Sequence, residues 1–336
     1  MKSLDVLCFG EALIDFFGTP GVPLGECETF TRHLGGAPTN VAIGLGRLGV
    51  RVGMMTLVGQ DEFGEFVRRK LAEEGVDIAS VGVHAQGRTG ITFVAVAKNG
   101  DRSFSSFRHQ STDQMIAPDL LDRDRIASAQ VVHLGSSTLA REPARSATLR
   151  MVEVARKAGC IVSCDPNWRA HLWPDPSEAK ALLPQLLAGC DIVKLSDDEL
   201  EPLVGITDVE RAADRVRGLG PSVVVVTQGA GGARFFSGKG TGDVPAPVVD
   251  MIDATGAGDG FVAGFLSALV PQFSAGTRPI DLTESDLAAA CRRGNEIGSQ
   301  VVTAVGATTA IGRLTAGAPQ GNVREGLGDG ESKQVD

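Results

Sequence analysis

Short apolar runs alternate along the chain with longer stretches whose apolar residues recur every three or four positions, a pattern that predicts βαβ units around a mainly parallel sheet. The clearest predicted strands are 131–134, 160–164, 191–195 and 222–226. Helices are predicted over 144–158, where Leu149, Val152 and Ala155 share one face, and over 177–188. The expected fold class is α/β, with a doubly wound sheet flanked by helices.

Two stretches break this pattern. Residues 11–33 and 88–113 read as short alternating strands with turn chemistry, and Asn99-Gly100 marks a hairpin between 91–97 and 102–107. Each stretch is inserted between core elements, so together they are expected to form one small β-sheet. That sheet would be a lid over the carboxyl ends of the core strands, where ligands of open α/β sheets bind; decorated surface loops are the alternative. Residues 1–315 are then one domain, and 316–336, rich in glycine and charge with no apolar face, are expected to be a disordered tail.

The chain has 336 residues, 43% hydrophobic and 22% charged, which suits a sizeable core and excludes intrinsic disorder for most of its length. Its net charge of -9 disfavours nucleic acid and anionic membrane as partners. The six cysteines, at 8, 27, 160, 164, 190 and 291, form no CxxC pair, so neither structural zinc nor a disulfide framework is expected. A strand-like run begins within five residues of the N-terminus, leaving no room for a signal peptide, and no apolar run approaches the ~18 residues of a membrane span. A cytoplasmic protein with reduced thiols is the expectation. The 43 glycines are well above the usual ~7% share and point to places where backbone turns tightly or approaches a ligand closely.

The strongest local signal is Asp253-Ala254-Thr255-Gly256-Ala257-Gly258-Asp259-Gly260, followed by an apolar, helix-like run. Small residues ahead of a helix let backbone N–H groups converge on an anion, and the helix N-terminus adds its positive dipole end. Gly256, Ala257 and Gly258 are thus a candidate cradle for a phosphoryl group, and Asp259 either a base that takes a proton from an attacking hydroxyl or a helix N-cap. No Walker loop is present, since no Gly-Lys-Ser/Thr follows.

This segment resembles the C-terminal signature of the PfkB, or ribokinase-like, carbohydrate kinases. A second segment, Gly35-Gly36-Ala37-Pro38-Thr39-Asn40-Val41-Ala42, is similar to the family's N-terminal Gly-Gly-x-x-x-Asn-x-Ala motif. Further matches at 10–15, 58–64, 165–169 and 227–229 extend the likeness over about 5–313. The resemblance implies a ribokinase-like fold and transfer of a phosphoryl group from ATP, with Mg2+, to a sugar hydroxyl. It implies Asp15, Gly35, Gly36, Asn40, Phe107, Arg108 and Arg169, with Asp259, around the sugar. Phe107 stands where similar kinases carry tyrosine. It implies Lys194, Thr227, Gly229, Gly232, Gly256, Gly258 and Asn295 around the nucleotide, and Glu199 holding Mg2+ through water. Ser196 departs there from the family's asparagine. Asp253 and Thr255, with carbonyls near 302–306, resemble a monovalent-cation site of the potassium type. A homodimer paired through the lid is implied as well.

Within the family the motifs look closest to fructokinases, which implies fructose phosphorylated at position 6. A 2-keto-3-deoxygluconate kinase, with Arg108 and Arg169 gripping a carboxylate, and a non-catalytic sugar sensor remain alternatives. Gly44-Leu45-Gly46-Arg47-Leu48-Gly49 reads GxGxxG but lies within a predicted helix, so close helix packing is expected instead of dinucleotide binding. The five histidines, at 33, 84, 109, 133 and 171, show no metal-ligand spacing and are expected to be structural.

Overall fold

The structure, a computed structural model, describes residues 2–96, 102–173 and 175–312. Its centre is a nine-stranded sheet. Seven strands run parallel, in the order β11 (Val223–Thr227), β10 (Ile192–Ser196), β9 (Ile161–Cys164), β8 (Ala129–Leu134), β1 (Leu4–Phe9), β4 (Val52–Gly59) and β5 (Asp77–His84). Beyond β11 the antiparallel strands β12 (Ala233–Ser237) and β13 (Gly240–Val244) complete one edge. All four strands predicted from apolar runs are present in this sheet within a residue or two at their ends.

The apolar runs are continuous because both sheet faces are covered. Along β1, Leu7 and Phe9 enter one buried cluster with Met151 of α4 (Ala144–Lys157) and Leu183 of α5 (Pro176–Ala188). Val6 and Cys8 point the other way, into a cluster with Ile43 of α1 (Ala37–Arg47), Leu71 of α2 (Glu62–Glu73), Leu266 of α8 (Ala257–Ser274) and Leu287 of α9 (Glu284–Val301). β11 divides in the same way, Val224 and Val226 to the first cluster and Val223 and Val225 to the second. That is the doubly wound arrangement expected from the sequence. The GxGxxG glycines lie on or just after α1, where a Cβ at Gly44 would stand 2.7 Å from that of Ala263 and one at Gly46 2.4 Å from the Glu74 carbonyl. Gly44 and Gly46 permit close packing of α1, as expected, while Gly49, with φ 79, follows its end.

The two pattern-breaking stretches form a separate four-stranded sheet, ordered β3 (Phe30–Gly35), β2 (Leu13–Gly18), β6 (Gly90–Val96) and β7 (Arg102–Phe107). The Asn99-Gly100 turn and the 316–336 tail lie outside the described residues. This sheet faces the carboxyl ends of the core strands across a cleft of about 560 Å³, whose lining includes Ser137 after β8, Asn167 after β9, Glu199 after β10 and Thr227 at the end of β11.

Candidate active site

The cleft is organised around the start of α8. Gly256 takes the N-cap position with φ 77, and a Cβ there would fall 2.4 Å from that of Ala307, so only glycine fits. Helix geometry leaves the first-turn amides after Gly256 without intrahelical acceptors; that of Ala257 donates to the Ala254 carbonyl at 3.3 Å, and the residues from Gly256 to Asp259 line the cleft, where a helix start is a candidate anion cradle. Asp259 is in that first turn but is not the cap. Its Oδ2 accepts from Asn40 Nδ2 at 2.8 Å and its Oδ1 from Asn167 Nδ2 at 3.1 Å. Burial pushes its pKa up to about 7, against the Asn40 hydrogen bond, which favours the ionised form.

The lid root brings a second carboxyl to the same cleft. Asp15 on β2 is raised to about 7, chiefly by burial, with Arg108 opposing and Asp259 and Glu11 adding to the rise. A Cβ at Gly35 would lie 2.2 Å from Asp15 Oδ2, and one at Gly36, where φ is 104, 2.3 Å from the Glu11 carbonyl. The paired glycines are what lets this corner close. Arg108 is buried and already engaged, forming an ion pair with Asp113 and donating to Ser137 Oγ at 2.8 Å. Arg169 is exposed at the rim, its guanidinium donating to its neighbour's carbonyl.

Phe107 is placed differently from the sequence expectation. Side chains alternate along β7, so Phe104 and Ser106 line the cleft while Phe107, 66% exposed, packs its ring edge-on to Phe93 at 5.7 Å on the opposite face of the lid. His171, expected to be structural, lines the cleft and stacks parallel to Phe104 with ring centroids 6.2 Å apart. No motif flagged it; it is brought there by the short helical turn after β9.

At the cleft floor Lys194 Nζ pairs with Asp165 Oδ2 at 3.0 Å, both side chains buried. Burial works against the Lys194 charge, but Asp165 and Glu199 outweigh it and hold its pKa above the ordinary value. A Cβ at Gly258 would reach within 2.9 Å of Lys194 Nζ, so the ammonium lies against the anion cradle. Glu199 accepts from the backbone N–H of Trp168 at 2.6 Å and of Ser196 at 2.8 Å, closing a capping box at the start of α6 (Asp197–Val204). Among the described residues no group of three or more acidic, histidine or cysteine side chains is gathered as a metal cage.

The cleft continues into an apolar pocket of about 270 Å³, sharing Thr227, Gly229 and Gly258 with it and lined further by Gly232, Val248, Met251, Phe261 and Asn295. Asn295 donates through Nδ2 to the carbonyls of Val244 (2.8 Å) and Pro245 (3.2 Å), fixing the end of β13 from which the pocket-lining residues 246–249 run. Gly232 has φ 97 and no room for a Cβ beside the Val244 carbonyl. Asp253 receives the Thr255 N–H and hydroxyl on Oδ1 and the Gly306 N–H on Oδ2, drawing the 302–306 turn against the residues before α8.

Two deep contributors, Asp165 and Asn167, were visible in the sequence only as part of a matched Asp-Pro-Asn-Trp-Arg string. Asn167 has φ 44, a left-handed conformation that turns its amide toward Asp259.

Residues 3–312 match the model of the pfkB family of carbohydrate kinases. The chain belongs to that family. This pfkB kinase chain is 38% identical over 308 residues to a probable fructokinase-2 of Arabidopsis thaliana, covering 91% of this chain and 92% of the relative. Its fold superposes with a TM-score of 0.85 on a fructokinase of Xylella fastidiosa with bound ATP, at 31% identity and covering 94% and 97% of the two chains. A double mutant of a Vibrio cholerae O395 fructokinase, in a form with fructose, ADP and potassium bound, gives 0.82 at 30% identity over 93% and 96%. The carboxylate and glycine cluster at the start of α8 in this pfkB chain therefore sits in a carbohydrate-kinase fold, between the small sheet and the apolar pocket of about 270 Å³.

Proposed function

We propose that the chain is an ATP-dependent fructokinase that phosphorylates the primary hydroxyl of fructose at position 6. The observation that carries this is the placement of Asp259, held by two asparagine amides at the mouth of the α8 anion cradle. The ionised Asp259 takes the proton of the 6-hydroxyl as its oxygen attacks the γ-phosphorus. The bond from that phosphorus to the bridging oxygen breaks, and ADP leaves with the electron pair. The Gly256–Gly258 amides and Lys194 hold the negative charge spread over the transferred group. Asp15, Gly36, Asn40 and Arg108 surround the sugar, and the apolar pocket edged by Asn295 receives the base of ATP, with Thr227, Gly229 and Gly232 along its phosphates.

Asp165 and Glu199 offer hard oxygen donors but few of them, which suits Mg2+, an ion that keeps waters and binds through substrate phosphates. When bound, Mg2+ neutralises phosphate charge; Glu199 would hold it through water. Asp253 and Thr255 with the 302–306 turn are the candidate potassium site, in line with the potassium-bound Vibrio relative. The outer lid face, with Phe107 66% and Phe30 36% exposed, is the candidate surface for a homodimer. Six free cysteines suit a reducing cytoplasmic setting.

A sugar acid fits less well. The two terminal nitrogens of Arg108 are engaged by Asp113 and Ser137, and the buried carboxyls of Glu11 and Asp15 line the same cleft and disfavour a further negative charge, which leaves Arg169 at the rim as the exposed arginine to meet a carboxylate. ADP release from ATP and magnesium over fructose, glucose, ribose, 2-keto-3-deoxygluconate and adenosine tests the reading. Fructose-dependent release is expected. Preference for the keto-deoxy acid overturns the substrate, and silence on every sugar despite measurable sugar binding favours a sensor.

A further inference from the structure

Three residues, Gly10, Glu11 and Ala12, join β1 to the lid strand β2, and one of them, Glu11, carries an unused group. Its carbonyl accepts from Thr39 Oγ1 at 2.8 Å, and its Oε1 accepts from the Ala37 N–H at the start of α1 at 3.2 Å. Those two bonds anchor the hinge to α1. The second carboxyl oxygen, Oε2, is buried and finds no partner among the described residues, although Glu11 as a whole is only 6% exposed and lines the cleft.

A buried carboxyl oxygen left unpaired is uncommon in a folded protein, because it gives up its hydration for nothing. Here it is not alone. Asn40 Oδ1 and Arg108 Nε, on residues 5% exposed and lining the same end of the cleft, are also without partners. Two acceptors and one donor, each on a cleft-lining side chain already held at its other polar atoms, leave unmet hydrogen-bonding capacity just beneath the cleft wall, which suits a compact molecule dense in hydroxyls. The hinge clamp needs only one carboxyl oxygen of Glu11, so it does not account for the other. Burial raises the Glu11 pKa above the ordinary carboxylate range, opposed by the Arg108 guanidinium and the Ala37 N–H, and in either protonation state a carboxyl oxygen is there to accept.

We propose that Glu11 is a substrate-binding residue whose Oε2 accepts a hydrogen bond from a sugar hydroxyl other than the one phosphorylated, which sets the preference for fructose over sugars lacking that hydroxyl. This rests on the fructokinase reading above.

Glu11→Gln keeps an oxygen for the Ala37 N–H and replaces the unpaired acceptor by an NH2 group. Steady-state kinetics of the wild type and the variant are compared on fructose and on its 1-deoxy, 3-deoxy, 4-deoxy and 2,5-anhydro analogues. The KM for fructose is expected to rise about 10- to 100-fold, the loss typical of one hydrogen bond to a charged group, with kcat changed far less and the KM for ATP unmoved. One analogue is expected to bind the two proteins equally, and it names the hydroxyl. If the variant melts well below the wild type, Glu11→Asp, which keeps the charge but withdraws it from the cleft, carries the same comparison. An unchanged KM for fructose in a folded variant, or an equal loss on every analogue, overturns the proposal and leaves Glu11 as a hinge clamp. A wild type silent on fructose overturns the fructokinase reading itself and this assignment with it.

Discussion

Asn40 Nδ2 donates to Asp259 Oδ2 at 2.8 Å across 219 residues of sequence. The two side chains meet because α1 and α8 pack face to face with Gly44 against Ala263, one helix bringing the amide and the other the carboxyl. Burial favours the protonated acid and the amide favours the anion, which leaves Asp259 near neutrality, where a base is most useful.

The first consequence is a pH profile. As the proposed base, Asp259 would act only when ionised, so kcat/KM for fructose is expected to rise with pH along a limb with a midpoint at about 7 and then level off. Asn40→Ala removes the contact that favours the anion and is expected to move this midpoint upward by about half to one unit, separately from any loss in sugar affinity. Rate measurements from pH 5.5 to 9 check both; a midpoint unmoved by the substitution sinks the coupling.

Asp259→Asn is expected to lower kcat by about 10²- to 10⁴-fold while the fold persists. Its effect on stability has a definite sign. An acid whose folded pKa is raised to about 7 from 3.8 stabilises the fold below pH 4, and that contribution is lost as pH rises to 7. The variant has no such loss, so its melting temperature relative to wild type is expected to climb between pH 4 and pH 7 and stay constant above. Paired thermal melts across that range decide it.

Lys194→Met strands the buried Asp165 carboxylate without its partner. Breaking a buried pair from one side costs about 3–5 kcal/mol, so a marked fall in denaturation midpoint is expected. Adding Asp165→Asn to the same chain is expected to recover much of it, because the unpaired charge is gone. The double variant should still bind ATP weakly, since Lys194 lies against the cradle.

Gly36→Ala sets a Cβ 2.3 Å from a backbone carbonyl at φ 104. Since the obstructing atom is main chain, the hinge must move, and a loss of about 1–3 kcal/mol together with a higher KM for fructose is expected. Gly49→Ala is the control, with φ 79 but nothing within 4 Å of its Cβ. It should cost about 1 kcal/mol and leave KM alone. Equal effects on KM would detach Gly36 from the sugar site.

Periodicity alone determined the core strands, the helices between them and the two lid stretches, because a buried parallel strand must be apolar on both faces and a lid strand on one. The glycine-rich turn before an apolar helix marked the start of α8, a candidate anion cradle, for an equally local reason: backbone amides at a helix start need little else. Asn40 and Asp259 were each visible singly, but nothing local says that they touch. Tertiary structure alone placed Phe104 in the cleft and Phe107 outside it, since the side on which a lid strand faces depends on what the lid covers. It also decided that the Arg108 charge is answered by Asp113, that Asn167 turns its amide toward Asp259, and that Glu11 keeps one oxygen unpaired. Partnership and burial of polar groups are properties of pairs distant in sequence, and the chain's local pattern does not record them.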